Sequence, residues 1–131
     1  DFIMARSHIF SGSKFEDMAG YCRAVVDGNW IFVSGTSGHE PKSGAIEESV
    51  EAQTNQCLQV IEDALQEANS RIEDIVRVRV FASDREYVMP ISMILKAKFG
   101  HFTPTNTTLI TGFADPAMKV EIEVTALRQS D

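Results

Sequence analysis

From Lys119 to Thr125 polar and apolar residues alternate strictly along the chain. Val120, Ile122 and Val124 share one face and Lys119, Glu121, Glu123 and Thr125 the other, the period of a half-buried strand. The stretch from Thr107 to Leu127 therefore reads as two strands around a turn, with Ala114, Asp115, Pro116 and Ala117 as the breaker. Two glutamates on one face of a strand inside a sheet need partners, because a buried unpaired carboxylate is costly or gives up its charge. That face is where chemistry is to be sought.

Upstream, Tyr21 to Val26 is strand-like, Asp27, Gly28 and Asn29 form a strong hairpin turn, and Trp30 to Ser34 is rich in aromatic and β-branched residues. Residues 1–19, punctuated by Ser11, Gly12 and Ser13, read as a weak edge strand and a loop. Gly35 to Gly44 is a loop, after which Ser49 caps a helix with Val50, Thr54, Leu58, Ile61, Leu65 and Ala68 on one side. Gln53, Gln56, Gln59, Glu62 and Asp63 form its solvated remainder. Ile75 to Phe81 resumes the strand period, placing Val76, Val78 and Val80 opposite Arg77 and Arg79. Pro90 opens a second helix, striped by Ile91, Ile94, Leu95, Lys98 and Phe99 and stopped at Gly100.

This order predicts an α+β fold: one mixed β-sheet in a single domain, residues 1–131, with two helices packed on one face. The helix between the second and third long strands suggests a crossover, hence some parallel pairing in an otherwise antiparallel sheet. The other sheet face then needs a cover that the chain has no elements left to supply. Arg77 and Arg79 on one strand and Glu121 and Glu123 on another suit a partly polar interface in which opposite charges pair.

Composition narrows the function. A formal net charge of -7 leaves little surface for neutralising phosphates, so nucleic acid is not expected as a partner. Cys22 and Cys57, the only two cysteines, lack metal or redox spacing and read as free thiols of a reducing compartment. No apolar run is long enough to span a membrane, and Asp1 to Arg6 lacks a signal-peptide core, so a cytoplasmic protein is expected. His8, His39 and His101 lie in loop or terminal positions without ligand spacing and read as surface residues, so neither a metal nor a histidine base is expected. No phosphate loop, Ser-His-Asp constellation or redox motif is evident, and no cofactor is implied.

The ending from Lys119 to Ala126, with Tyr21 and with Val33, Ser34 and Gly35 upstream, resembles the Rid family, the YjgF-like reactive-intermediate deaminases also labelled endoribonuclease L-PSP. The resemblance runs from about Gly20 to Leu127. It implies a chorismate-mutase-like fold and a homotrimer whose sheets line a central barrel, with small-molecule sites in three clefts between subunits. In the family pattern a tyrosine lies 13 positions ahead of a serine followed by glycine, as Tyr21 and Ser34-Gly35 do here. Glu121 matches the glutamate that positions the hydrolytic water.

Three positions depart from that pattern. Counting back from Lys119 without a gap, the arginine that grips the substrate carboxylate with a two-pronged hydrogen bond falls at Asn106, a neutral amide. The family's pocket asparagine falls at Ser92, and its usual cysteine at Thr108. The reading that follows is a Rid-like trimer whose 2-imino acid deaminase activity is lost or altered. The alternatives are hydrolysis of a different imine, enamine or neutral substrate by Glu121 and a bound water, and a noncatalytic binding or chaperone-like trimer. Arg23, on the strand face of Tyr21, and Arg79 are the cations in a position to replace the missing one.

Overall fold

The computed structural model describes residues 5–129, so most of the segment read above for a signal peptide lies outside the described residues. Strand β1 (Ser7–Ile9) leads into helix α1 (Lys14–Ala19), then β2 (Ala24–Asp27), β3 (Trp30–Ser37) and helix α2 (Val50–Glu67). Strand β4 (Ile75–Ala82), helix α3 (Val88–Phe99) and strands β5 (Thr105–Ile110) and β6 (Val120–Leu127) complete the order. The six strands form one sheet in the order β1-β2-β3-β6-β4-β5.

The expected hairpin is β2 and β3, joined at Asp27↔Trp30. Strand β6 runs antiparallel to both β3 and β4 and so occupies the centre. Parallel pairing is present, but between β4 and β5, across α3. The helix expected to produce it, α2, connects β3 to β4, and β6 lies between those two strands. Likewise β5 and β6, neighbours in sequence around the turn, are separated in the sheet by β4.

Alternation decides which face is covered. Val120, Ile122, Val124 and Ala126 of β6 are buried, as are Ile31 and Val33 of β3, Val78 and Val80 of β4, and the α2 and α3 residues Leu58, Ile61, Leu65, Ile91 and Phe99. Each large apolar side chain buried there contributes about 1.5–3 kcal/mol. On the other face Trp30 and Phe32 remain exposed and stack at 6.2 Å. Arg79 meets Glu123 there, Nε to Oε1 at 3.5 Å, as the charge pattern predicted. Strand β5 is an outer edge, with Leu109 and Ile110 both exposed.

Four local expectations are corrected. Residues 14–19 form a helix rather than a loop: Ser13 caps it by accepting from the Phe15 N–H, and Gly20, at φ 74°, closes it in the left-handed conformation. Val76 is exposed, because a register shift between Ile75 and Arg77 turns Ile75 inward in its place. Helix α3 begins at Val88, which puts Pro90 inside its first turn. Gln53 is fully buried rather than solvated, for its amide bridges two backbone segments, the one before α2 and the turn before β6. It donates to Glu47 O (2.8 Å) and Ala117 O (2.9 Å) and accepts from Lys119 N–H (2.8 Å).

Candidate functional site

The register of β3 against β6 shifts between Val33 and Thr36, and this irregularity opens the site. Beyond it Ser37 lies directly opposite Glu121. Gly35, inside the irregularity, has no side chain, and the Glu121 carboxylate fills that space: a Cβ at position 35 would stand 3.0 Å from Glu121 Cδ. The result is a cavity of about 410 Å³ between the end of β3, helix α1 and the turn before β6. Phe15, Met18 and Met118 give it an apolar wall, and Tyr21, Arg23 and Glu121 its polar groups.

Burial pushes the Glu121 carboxyl above the ordinary carboxylate range; the positive charge of Arg23 opposes that shift and the negative charge of Glu123 adds to it. A carboxylate so raised is a stronger base near neutral pH than a solvated one. The same burial, with the Glu121 charge second, raises the Cys57 thiol far above its usual range, so Cys57 is an inert core residue.

Arg23 is buried and its guanidinium lies 5.5 Å from the centre of the Tyr21 ring. Its Nε donates to Glu16 Oε2 at 3.0 Å, and its Nη1 donates to Gly35 O (2.8 Å) and Thr36 Oγ1 (3.1 Å). The short helix α1 exists in part to deliver Glu16 to this pair, and the Ser11 hydroxyl and amide complete the carboxylate's partners. Arg23 is thus a cation of the cavity whose charge is already matched.

The residues expected at the site separate into two groups. Tyr21, Gly35 and Glu121 line the cavity. Ser34 lies beside them, its hydroxyl donating to Cys22 O at 2.7 Å and so tying the segment that precedes β2 to β3. Asn106 and Thr108 are on β5, at the opposite edge of the sheet, where the Thr108 hydroxyl donates to Asn106 Oδ1 at 2.9 Å. Ser92 is exposed on α3. Arg79 lies on β4 directly alongside β5, paired with Thr107 and one position on from the Val78–Asn106 pair, with its side chain meeting Glu123; Arg23 is held by Glu16.

The sequence reading missed one cluster. His39 is not a surface residue: its side chain is only 12% exposed, with Nδ1 2.7 Å from Ser37 Oγ and Nε2 3.0 Å from Asp115 Oδ2. The Ala117 N–H and then His39 hold the Asp115 carboxyl below its usual range. His8 and His101 are exposed as expected. Among the described residues no group of three His, Cys, Asp or Glu is placed to hold a metal ion, and no helix is long and apolar enough to cross a membrane.

A sequence model of the Endoribonuclease L-PSP family matches residues 11–128. The chain belongs to this family, the Rid family. A crystal structure of a member of the YjgF/YER057c/UK114 family from Mycobacterium tuberculosis superposes with a TM-score of 0.86 at 31% identity, covering 94% of this chain and 99% of that one. The crystal structure of the Escherichia coli YjgF gene product gives a TM-score of 0.77 at 28% identity over 83% of this chain and 88% of that one. The 2-iminobutanoate/2-iminopropanoate deaminase of Salmonella typhimurium is 28% identical over 112 residues, 83% of this chain and 88% of that protein. This Rid protein therefore has imine deaminases among its relatives, and its sheet with helices on one face is the family fold.

Proposed function

We propose that this Rid protein binds a small metabolite between subunits of a homotrimer, with 2-imino acid deamination lost or altered and hydrolysis of an imine or enamine lacking a carboxylate as the chemistry the site retains. The observation that carries this reading is the Glu121 carboxylate, raised by burial and seated over Gly35 in a cavity with Tyr21. In this scheme Glu121 takes a proton from water as the oxygen bonds to the C=N carbon and the π electrons move to nitrogen. Protonation of that nitrogen and collapse of the adduct release the amine or ammonia and leave a carbonyl.

The trimer supplies what one subunit lacks. Asn106 and Thr108 sit on β5, separated from the Glu121 strand by β4, and Ser92 is on α3; in the trimer a second copy would bring such residues to the Glu121 cavity. The exposed Trp30 and Phe32 on the open face and the exposed edge β5 favour such an assembly. Asn106, its carbonyl oxygen held by Thr108, presents an uncharged N–H to a ligand, which suits a neutral acceptor and not a carboxylate fork. The net charge of -7 argues against RNA as the substrate.

Ammonia or amine release from a panel of carboxylate-bearing and neutral imines tests the reading. Neutral imines should turn over faster than 2-iminopropanoate, and Glu121→Gln should slow them by on the order of 10²-fold or more. Equal turnover by Glu121→Gln and the unaltered protein contradicts the role of Glu121.

A further inference from the structure

The cavity holds three side chains that imine hydrolysis by Glu121 does not use. We infer that Ser37, His39 and Asp115 form a second hydrolytic constellation in it, with Ser37 as the nucleophile toward activated acyl or phosphonyl groups carrying a short apolar substituent. All three line the cavity. Ser37 Oγ is 2.7 Å from His39 Nδ1, and His39 Nε2 is 3.0 Å from Asp115 Oδ2.

The partners set the roles. An ionised carboxylate only accepts, so Nε2 carries the proton shared with Asp115 and the Nδ1 lone pair faces the Ser37 hydroxyl. The His39 N–H reaches the same hydroxyl oxygen only at 3.4 Å, a long contact that leaves Oγ a lone pair. Phe15, with its ring centre 6.0 Å from that of His39, packs against the imidazole. Two elements far apart in sequence, the end of β3 and the turn before β6, are thereby joined through one ring. The ring is turned so that Nδ1 rather than Nε2 meets the serine. The chemistry requires only that one nitrogen meets the hydroxyl and the other the carboxylate.

The surroundings suit a nucleophile. Arg23, already paired with Glu16, and Glu121 share the cavity, while Lys14, Glu40 and Lys42 line a second, small cleft together with His39. Phe15, Met18 and Met118 offer the apolar wall for an acyl chain. As Ser37 Oγ bonds to the acyl carbon, its proton passes to His39 Nδ1 and the carbonyl π electrons move to oxygen. Collapse expels the leaving group with that proton. Water then enters by the same two steps, releasing the acid and restoring the serine. Glu121 takes no part, so this constellation and the imine site stand or fall separately.

The test is covalent labelling of the full chain with a fluorophosphonate bearing a short alkyl group, read by intact mass and peptide mapping. The expected result is a single adduct on Ser37, with labelling slowed by on the order of 10²-fold in His39→Gln. Asp115→Asn, at a half-exposed position, should also slow labelling and is the second variant if His39→Gln folds poorly. Absence of an adduct, an adduct on another residue, or unchanged labelling in the well-folded variants overturns the inference.

Discussion

The Glu121 carboxylate occupies the space that any side chain at position 35 would need, with its Oε2 3.1 Å from where a Gly35 Cβ would stand. Gly35 therefore does more than end a strand: it lets the half-buried Glu121 carboxyl face the cavity. Gly35→Ala should displace Glu121, since the clash is with the end of a flexible side chain. The expected cost in stability is about 1–3 kcal/mol by urea unfolding. The expected loss of imine turnover is larger, on the order of 10²-fold. Full turnover in a well-folded Gly35→Ala would mean that the position of Glu121 is unimportant.

Glu121 also makes a prediction about pH. Its folded-state carboxyl binds a proton more tightly than it does in the unfolded chain, because burial raises it. Between the two pKa values the native state holds more protons, so this group's contribution to stability falls as pH rises through that window. Glu121→Gln, which stays neutral, should melt above the unaltered protein at pH 7, with the gap closing below the ordinary carboxylate range. A lower melting temperature for Glu121→Gln at pH 7 would show that the ionised carboxylate is net stabilising.

The Arg23–Glu16 pair is buried on both sides, 7% and 2% exposed, at 3.0 Å. Removing one partner strands a charge, so Glu16→Gln should cost about 3–5 kcal/mol in chemical denaturation. Replacing both with apolar residues should recover much of that loss. Equal destabilisation by the single and double changes would show that packing, not charge, is what the pair supplies.

The fold was legible because the covered face is written in alternation: Val120, Ile122 and Val124 announced β6, and the Ser49 cap with Leu58, Ile61 and Leu65 announced α2. What failed was either short or distant. Six residues of α1 carry too little periodicity to distinguish them from a loop, although Ser13 and Gly20 bracket them as caps do. Gln53 sits at a position whose polarity reads as solvent, and only the approach of Glu47, Ala117 and Lys119 makes it a core bridge. His39 and Asp115 are 76 positions apart, and a local pattern has no means of pairing them. Tyr21, Gly35 and Glu121 share the cavity, whereas Asn106 and Thr108 lie at the far sheet edge, a separation that strand order fixes and residue spacing conceals.

Ammonia release from 2-iminopropanoate by the unaltered protein and by Asn106→Arg tests the central claim most directly. The neutral amide predicts weak turnover, raised by on the order of 10²-fold or more when a guanidinium fork is restored to β5. Rapid deamination by the unaltered protein, with no gain in Asn106→Arg, would contradict the claim that this site has lost its grip on carboxylates.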